Sequence, residues 1–126
     1  MSKTAINSSK APAPIGPYSQ AILIKDTLYV SGQVAIDQST GDLVNDSISN
    51  ETEQVMTNLS YILEEAGFAF DHVVKCSIFI SDMDNFKEIN EVYGKHFTTI
   101  PPARETVEVS RLPKDVNVEI SCIAVK

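Results

Sequence analysis

An arginine and a glutamate are the first candidates for chemistry in this sequence, because each lies in one of the last two segments that are predicted to be strands. Arg104 begins one segment, and its planar, permanently charged guanidinium suits a carboxylate ligand. Glu119 lies beside Ile123 in the other, where partial burial would raise its carboxyl pKa enough to hold a water molecule or transfer a proton. A turn at Pro113 joins the segments, so we expect Arg104 and Glu119 to be neighbours. A plain ion pair of Arg104 with Glu119 or Glu105 is the alternative.

Two further segments could line a ligand pocket. Tyr18 follows Ile15-Gly16-Pro17, and its ring and hydroxyl could close a pocket or merely anchor the N-terminal arm. Ser31-Gly32-Gln33 ends a predicted strand with a glycine, which lets a ligand approach the backbone closely. An ordinary bulge is the alternative there.

Metal and cofactor chemistry find no support in the residue pattern. His72 and His96 are far apart in sequence, and neither is near a cysteine. Cys76 and Cys122 fall on the predicted core faces of their strands, where thiols behave as small apolar groups. Glycine-rich nucleotide loops and the G-x-S-x-G motif do not occur. Cofactor-dependent redox chemistry and kinase chemistry therefore lose their usual sequence support.

Composition restricts the class of protein further. A length of 126 residues fits one domain and leaves no room for a separate cofactor domain. A net charge of -7 makes nucleic acid an improbable partner. The longest apolar run, Ala21–Ile24, is too short to cross a bilayer, and the polar residues 1–10 do not resemble a secretion signal. These features predict a cytoplasmic protein with reduced cysteines.

Hydrophobic periodicity predicts two amphipathic helices. The first spans Asn50–Ala66, with Asn50 and Glu53 resembling a capping box and Gly67 placed for a left-handed end. The second spans Asp84–Phe97, with Asp82 or Asp84 as its N-cap.

Residues 1–14 are predicted to be an irregular lead-in to a single domain. Alternation and turn residues predict a short strand near the turn at Ser39–Asp42 and five further strands. Those five are Ser19–Ile24, Thr27–Gln33, His72–Ser81, Arg104–Ser110 and Asn117–Val125.

These elements predict an α+β two-layer sandwich, with a mixed sheet of about six strands and both helices on one face. The last strand carries apolar residues on both of its faces, for example Ile120 on one and Ile123 on the other. Two helices can cover only one face, so we expect a homo-oligomer that covers the second. Singly exposed apolar side chains are the alternative.

The motifs in this chain resemble those of the RidA (reactive intermediate deaminase, formerly YjgF) family over nearly its whole length. They are Ile15-Gly16-Pro17-Tyr18-Ser19-Gln20, Ser31-Gly32-Gln33, Pro102-Ala103-Arg104, the run Val107–Asp115, and Val118-Glu119-Ile120. The resemblance implies a chorismate-mutase-like homotrimer with ligand clefts between subunits. It also implies cofactor-independent hydrolysis of enamines and imines, such as 2-aminoacrylate, to 2-oxo acids and ammonia.

Site residues follow from the resemblance position by position. Arg104 would bind the substrate carboxylate, and Glu119 would position the attacking water or transfer a proton. Further pocket residues would be Tyr18, Ser31, Gly32, Asn90 and Thr106. Many members of the family have Arg-Ser-Cys where this chain has Arg104-Glu105-Thr106, so a thiol is replaced by a hydroxyl.

Two other functions are compatible with the same resemblance. A regulatory protein would bind a small carboxylate in the cleft without turnover. A ribonuclease is disfavoured by the acidic charge and by the lack of paired histidines or a metal site.

Overall fold

The chain forms two layers in the computed structural model, which describes residues 2–126; Met1, part of the predicted lead-in, lies outside them. Its strands are β1 Thr4–Ile6, β2 Ala21–Ile24, β3 Thr27–Gln33, β4 Val73–Ile80, β5 Ala103–Glu108 and β6 Val118–Val125. Its helices are α1 Ile48–Glu65 and α2 Phe86–Gly94, with short 3₁₀ turns at Phe70–His72, Met83–Asn85 and Pro113–Asp115. The strands form one mixed sheet in the order β1-β2-β3-β6-β4-β5, and the helices pack on one of its faces. The predicted α+β two-layer sandwich is confirmed.

The strand order corrects one prediction. β5 and β6 are not neighbours, because β4 lies between them, parallel to β5 and antiparallel to β6. α2 connects β4 to β5, and a helical crossover of this kind places the next strand parallel to the one before. The segment after β5 then crosses the end of β4, where the backbone N–H of Ser81 donates to the carbonyl of Asn117 (3.1 Å). The turn at Pro113 is therefore a crossover turn and not a hairpin.

Both helices are shifted from their predicted ends. α1 begins earlier than Asn50, because the hydroxyl of Ser47 accepts the backbone N–H of Asn50 (3.0 Å) and so provides the N-cap. The predicted capping box is therefore wrong, whereas Gly67 does follow the helix with a φ of 79°. Asp82 caps the 3₁₀ turn Met83–Asn85, which leads directly into α2, by accepting the backbone N–H of Asp84. The N-cap residue of α2 itself is Asn85, so neither predicted residue, Asp82 or Asp84, occupies that position. α2 itself is shorter than predicted and ends at Gly94.

The N-terminal lead-in is more ordered than predicted. Its residues Thr4–Ile6 form β1, which pairs antiparallel with β2 and gives that strand a second backbone partner. Three residues are too few for alternation to reveal a strand, which is why the sequence pattern missed it. The short strand predicted near Ser39–Asp42 is reduced to an isolated bridge between Ile36 and Leu43.

The two faces of the sheet differ as the alternation predicted. The helix-covered face is buried, and its core includes Cys76 and Cys122, which are register partners on β4 and β6. Both thiols are free, and burial raises the pKa of each. The uncovered face carries exposed apolar side chains, among them Tyr29 and Val107. None of the helices within residues 2–126 is long and apolar enough to cross a bilayer.

Candidate active site

Glu119 on β6 points to the uncovered face of the sheet. Its register partner on β4 is Phe79, whereas the core residues Val118 and Ile120 flank it on the other face. The carboxylate is half-buried and has no hydrogen-bond or ion-pair partner within residues 2–126. Burial without such a partner raises its pKa above the ordinary value for a glutamate. A carboxyl pKa raised in this way is a common feature of groups that transfer protons in enzymes.

Gly32 lies directly against that carboxylate. β3 is irregular between Val30 and Gln33, so Gly32 sits in a break of the ladder with β6. A Cβ atom at Gly32 would be 2.6 Å from an oxygen of Glu119. The break in the ladder agrees with the alternative of a bulge, and the glycine in addition leaves room for the Glu119 side chain, which a Cβ atom would have to displace.

A cavity of about 400 Å³ opens beside Glu119. Its polar lining comes from Tyr18, Gln20, Gln33, Lys114 and Glu119, and most of the rest is apolar. A mostly apolar cavity with a few converging polar groups is the usual form of a small-molecule site. The predicted pocket residues Tyr18, Gly32 and Glu119 thus come together.

Ser31 supports this cavity without lining it. Its hydroxyl donates to the carbonyl of Ser19 (2.6 Å), and its backbone N–H donates to the carbonyl of Gln20 (2.8 Å). Both bonds fix the chain just after Tyr18. The structure therefore gives Ser31 a supporting place behind the cavity.

Arg104 lies on the opposite, helix-covered side of the sheet. Its register partner is Cys76, and its Nη1 donates to Oδ1 of Asn90 on α2 (2.7 Å). The guanidinium carbon is 5.1 Å from the ring centre of Tyr93 and 5.7 Å from that of Phe86, which holds the group by cation–π contact. Within residues 2–126 it has no carboxylate partner. The guanidinium is thus oriented by neutral groups and keeps its charge for an anion.

The predicted ion pairs of Arg104 are both wrong. Glu119 is on the other face, and so is Glu105, whose side chain alternates away from Arg104. Glu105 accepts instead from Lys75 (2.8 Å) and from the hydroxyl of Ser77, and these contacts lower the pKa of Glu105.

Thr106 shares the face of Arg104, two residues further along β5. Its hydroxyl is buried and has no hydrogen-bond partner within the described chain. A buried hydroxyl without a hydrogen-bond partner destabilises the fold unless a ligand or a water molecule forms a hydrogen bond with it. A second cluster of polar side chains therefore lies apart from the Glu119 cavity, and it consists of Arg104, Asn90 and Thr106.

The candidate site thus consists of two half-sites in one chain. The Glu119 half contains Glu119, Gly32 and Tyr18, and the Arg104 half contains Arg104, Asn90 and Thr106. The halves occupy opposite faces of the sheet, with β4 between their strands. The expectation that Arg104 and Glu119 are neighbours within one protomer is wrong.

Sequence reasoning did not single out two polar residues that line the cavity, Gln20 and Lys114, whereas Gln33 belongs to the predicted Ser31-Gly32-Gln33 segment. Lys114 adopts a left-handed backbone (φ 58°), which is costly for a lysine. The preceding Pro113 was the available signal, since it marked a tight turn beside Glu119. Buried Glu51 fixes the following segment by accepting from both the backbone and the side-chain nitrogen of Asn117 (2.7 Å each).

The chain matches known proteins along almost all of its length. Residues 8–126 match the family model described as Endoribonuclease L-PSP. A RutC family protein of Saccharolobus solfataricus is 48% identical over 124 residues, with 98% of each chain covered. The human protein named 2-iminobutanoate/2-iminopropanoate deaminase is 40% identical, with 98% of this chain and 90% of that protein covered.

Solved structures agree with the sequence matches. RidA from an Antarctic Psychrobacter species has a TM-score of 0.94 and 37% identity, with 98% of this chain and 99% of that chain covered. Escherichia coli TdcF with bound serine has a TM-score of 0.91 and 35% identity, with 98% of each chain covered. Fold and matches together define a Rid-type α+β protein. The chain belongs to the Endoribonuclease L-PSP family, which is the RidA/YjgF family indicated by its motifs.

Proposed function

We propose that this protein is a 2-iminobutanoate/2-iminopropanoate deaminase, which hydrolyses reactive imines and their enamine tautomers to 2-oxo acids and ammonia. The observation that carries the proposal is the Arg104 guanidinium, oriented by Asn90 and two aromatic rings without any carboxylate partner in the described chain. Such a group is ready to bind a small carboxylate. The deaminase names of the human and bovine relatives support the same substrate class.

The complete site requires more than one protomer. The uncovered sheet face exposes Tyr29 and Val107, and Ile100, just before β5, is 88% exposed. A neighbouring copy would bury these side chains and bring its own Arg104 half against the Glu119 half of the first. Three copies related head to tail close such a contact into a ring. We therefore propose a homotrimer with one composite cleft at each interface.

The chemistry within such a cleft needs few groups. Arg104 binds the substrate carboxylate, which fixes the imine carbon beside Glu119. Glu119 accepts a proton as water adds to the protonated imine, and it returns this proton to the nitrogen of the tetrahedral intermediate. Ammonia then leaves as the hydroxyl proton of the intermediate passes to Glu119, so that the carbonyl of the 2-oxo acid forms. Water supplies the oxygen of the 2-oxo acid, so the reaction balances without a metal or cofactor. The raised pKa of Glu119 makes its carboxylate a stronger base toward the attacking water.

A coupled assay tests the proposal. A dehydratase generates 2-aminoacrylate or 2-iminobutanoate, and the formation of 2-oxo acid is followed with and without the purified protein. We expect faster formation with the protein at catalytic concentration. A rate equal to that in buffer alone would contradict the deaminase.

A small-molecule sensor is the second candidate, and the serine in the TdcF structure favours it, because that relative holds a small amino acid. Binding of 2-oxobutanoate without any acceleration of imine hydrolysis would select the sensor. The family description names an endoribonuclease, but the net charge of -7 does not favour an RNA partner.

The Gly32→Ala variant is expected to lose most deaminase activity. The new methyl group would be 2.6 Å from the Glu119 carboxylate and would displace it from the cavity. A displaced proton-transfer group costs about a hundredfold in rate or more. The matched control is Gly94→Ala, where a Cβ atom meets nothing within 4 Å. Equal activity of the two variants in the coupled assay would contradict the role of the Gly32 contact.

The pH dependence of stability should carry the signature of Glu119. Its pKa is raised in the folded protein, so ionisation destabilises the fold progressively as pH rises from the ordinary glutamate pKa through the raised value. The Glu119→Gln variant lacks this penalty. We expect it to have a higher Tm than the wild type at pH 7 and the same Tm near pH 3, measured by calorimetry. A Tm difference independent of pH would contradict an unpaired, half-buried carboxylate.

A further inference from the structure

Gln20 is a buried amide at the edge of the Glu119 cavity, and its side chain binds the N-terminal arm, defined here as residues 8–18. Only 3% of Gln20 is exposed. Its Oε1 accepts the backbone N–H of Ser8 (2.7 Å). Its Nε2 donates to the carbonyls of Pro12 (2.9 Å), Ser8 (3.1 Å) and Ala11 (3.4 Å). One side chain therefore holds several backbone groups of the arm.

The arm forms one side of the Glu119 cavity. Pro12, Ala13, Ile15 and Tyr18 line that cavity, although none of them belongs to a helix or strand. An irregular segment of this kind keeps its shape only through contacts from elsewhere. The contacts at its start come from Gln20, and buried Ala11 packs into the core.

We propose that Gln20 is a positioning residue that fixes the N-terminal arm as a wall of the ligand cavity. The arm is then part of the binding site and not only a terminus. The predicted effect on ligand binding rests on the proposed function, whereas the effect on the arm does not. Gln20 acts through the backbone of the arm, so its loss should weaken binding more than it slows the chemical step.

Two substitutions separate the hydrogen bonds from the fold. Gln20→Met keeps the length and apolar volume of the side chain but removes every hydrogen bond. Burial of a methionine side chain costs less free energy than burial of a charged side chain. Gln20→Glu keeps an acceptor for Ser8 but places a carboxylate oxygen against three carbonyls. Asn45→Asp makes the same amide-to-carboxylate change at an exposed position and serves as the control.

Trypsin cleavage after Lys10 measures release of the arm, and hydrogen exchange of the Ser8 N–H, which donates to Gln20, measures its attachment. We expect both rates to rise about tenfold or more in the Gln20 variants, as loss of buried hydrogen bonds predicts, and to stay unchanged in Asn45→Asp. The Kd for 2-oxobutanoate and the KM should rise by about tenfold, with kcat within about threefold of the wild type.

Unchanged cleavage and exchange in both Gln20 variants would overturn the positioning role, whether or not the wild type binds 2-oxobutanoate. A released arm with an unchanged Kd would overturn the claim that the arm is a wall of the site. A wild type that binds no 2-oxobutanoate would contradict the deaminase proposal alone, and the exchange of the Ser8 N–H would then still decide the role of Gln20.

Discussion

Replacement of Arg104 by alanine is expected to lower kcat/KM for imine hydrolysis by about two to three orders of magnitude. A guanidinium that holds a carboxylate by two charge-assisted hydrogen bonds contributes roughly 3–4 kcal/mol, and each 1.4 kcal/mol is a factor of ten. The carboxylate is bound in both the ground state and the transition state, so most of the loss should appear in KM. Steady-state kinetics of the coupled reaction measure how the loss in kcat/KM is divided between kcat and KM.

Two companion variants test the geometry around Arg104. Arg104→Lys keeps the charge but lacks the planar guanidinium that donates two parallel hydrogen bonds, so it should recover only part of the affinity for substrate that Arg104→Ala loses. Asn90→Asp places a carboxylate 2.7 Å from Nη1, where the wild type has a neutral amide, and should therefore compete with the substrate. Asn90→Ala removes the neutral partner without adding a charge, so it should raise KM less than Asn90→Asp. Full activity in Arg104→Ala would contradict the account.

Glu119→Gln is expected to lower kcat by about two to four orders of magnitude, the usual contribution of a positioned proton-transfer group. The amide has the same shape, so the cavity and the affinity for 2-oxobutanoate should change little. The loss should therefore appear in kcat, opposite to the pattern of Arg104→Ala.

The pH profile gives a second measure of the same group. In the wild type, kcat/KM should fall on the acidic side at a pH above 4.5, the ordinary pKa of a glutamate, because burial raises the pKa of Glu119. This acidic limb of the pH profile, the fall in kcat/KM at low pH, should be absent from the residual activity of Glu119→Gln. An acidic limb retained in the variant would assign the proton transfer to another group.

Much of the fold was predictable because it follows local rules. The apolar spacing in α1 and the alternation along β4 and β6 identified these elements and their buried faces. Gly67 marked the end of α1 through its need for a positive φ. The N-cap was misplaced because Ser47 and Asn50 are both good capping residues, and only the tertiary path of the chain selects between them.

The strand order was not predictable by the same rules. A short turn after β5 suggested a hairpin with β6, but the preceding α2 crossover had already placed β5 beside β4. Pairing between distant strands depends on packing of the helices on the sheet, which no local pattern encodes. The prediction that Glu119 lies next to Arg104 was wrong for this reason.

The candidate site was predictable in its residues but not in its arrangement. Arg104 and Glu119 were identified from chemistry and from family motifs, and the structure places Glu119 beside a cavity and Arg104 against Asn90 and two aromatic rings. Residue alternation puts them on opposite faces only once the register through β4 is known. Gln20 was missed as a supporting residue because its partners are backbone groups, which leave no trace in the pattern of side chains.

The central claim is that each catalytic cleft takes Arg104 from one protomer and Glu119 from its neighbour. The most direct test is complementation in mixed trimers, made by co-expressing Arg104→Ala and Glu119→Gln chains with different tags. In every trimer that contains both chains, one of the three clefts has both residues intact. The mixed trimers should therefore recover about a third of wild-type activity, whereas a mixture of Glu119→Gln with Gly32→Ala, both in the same half, should not gain activity. Mixed trimers as inactive as their parent variants would contradict the composite cleft.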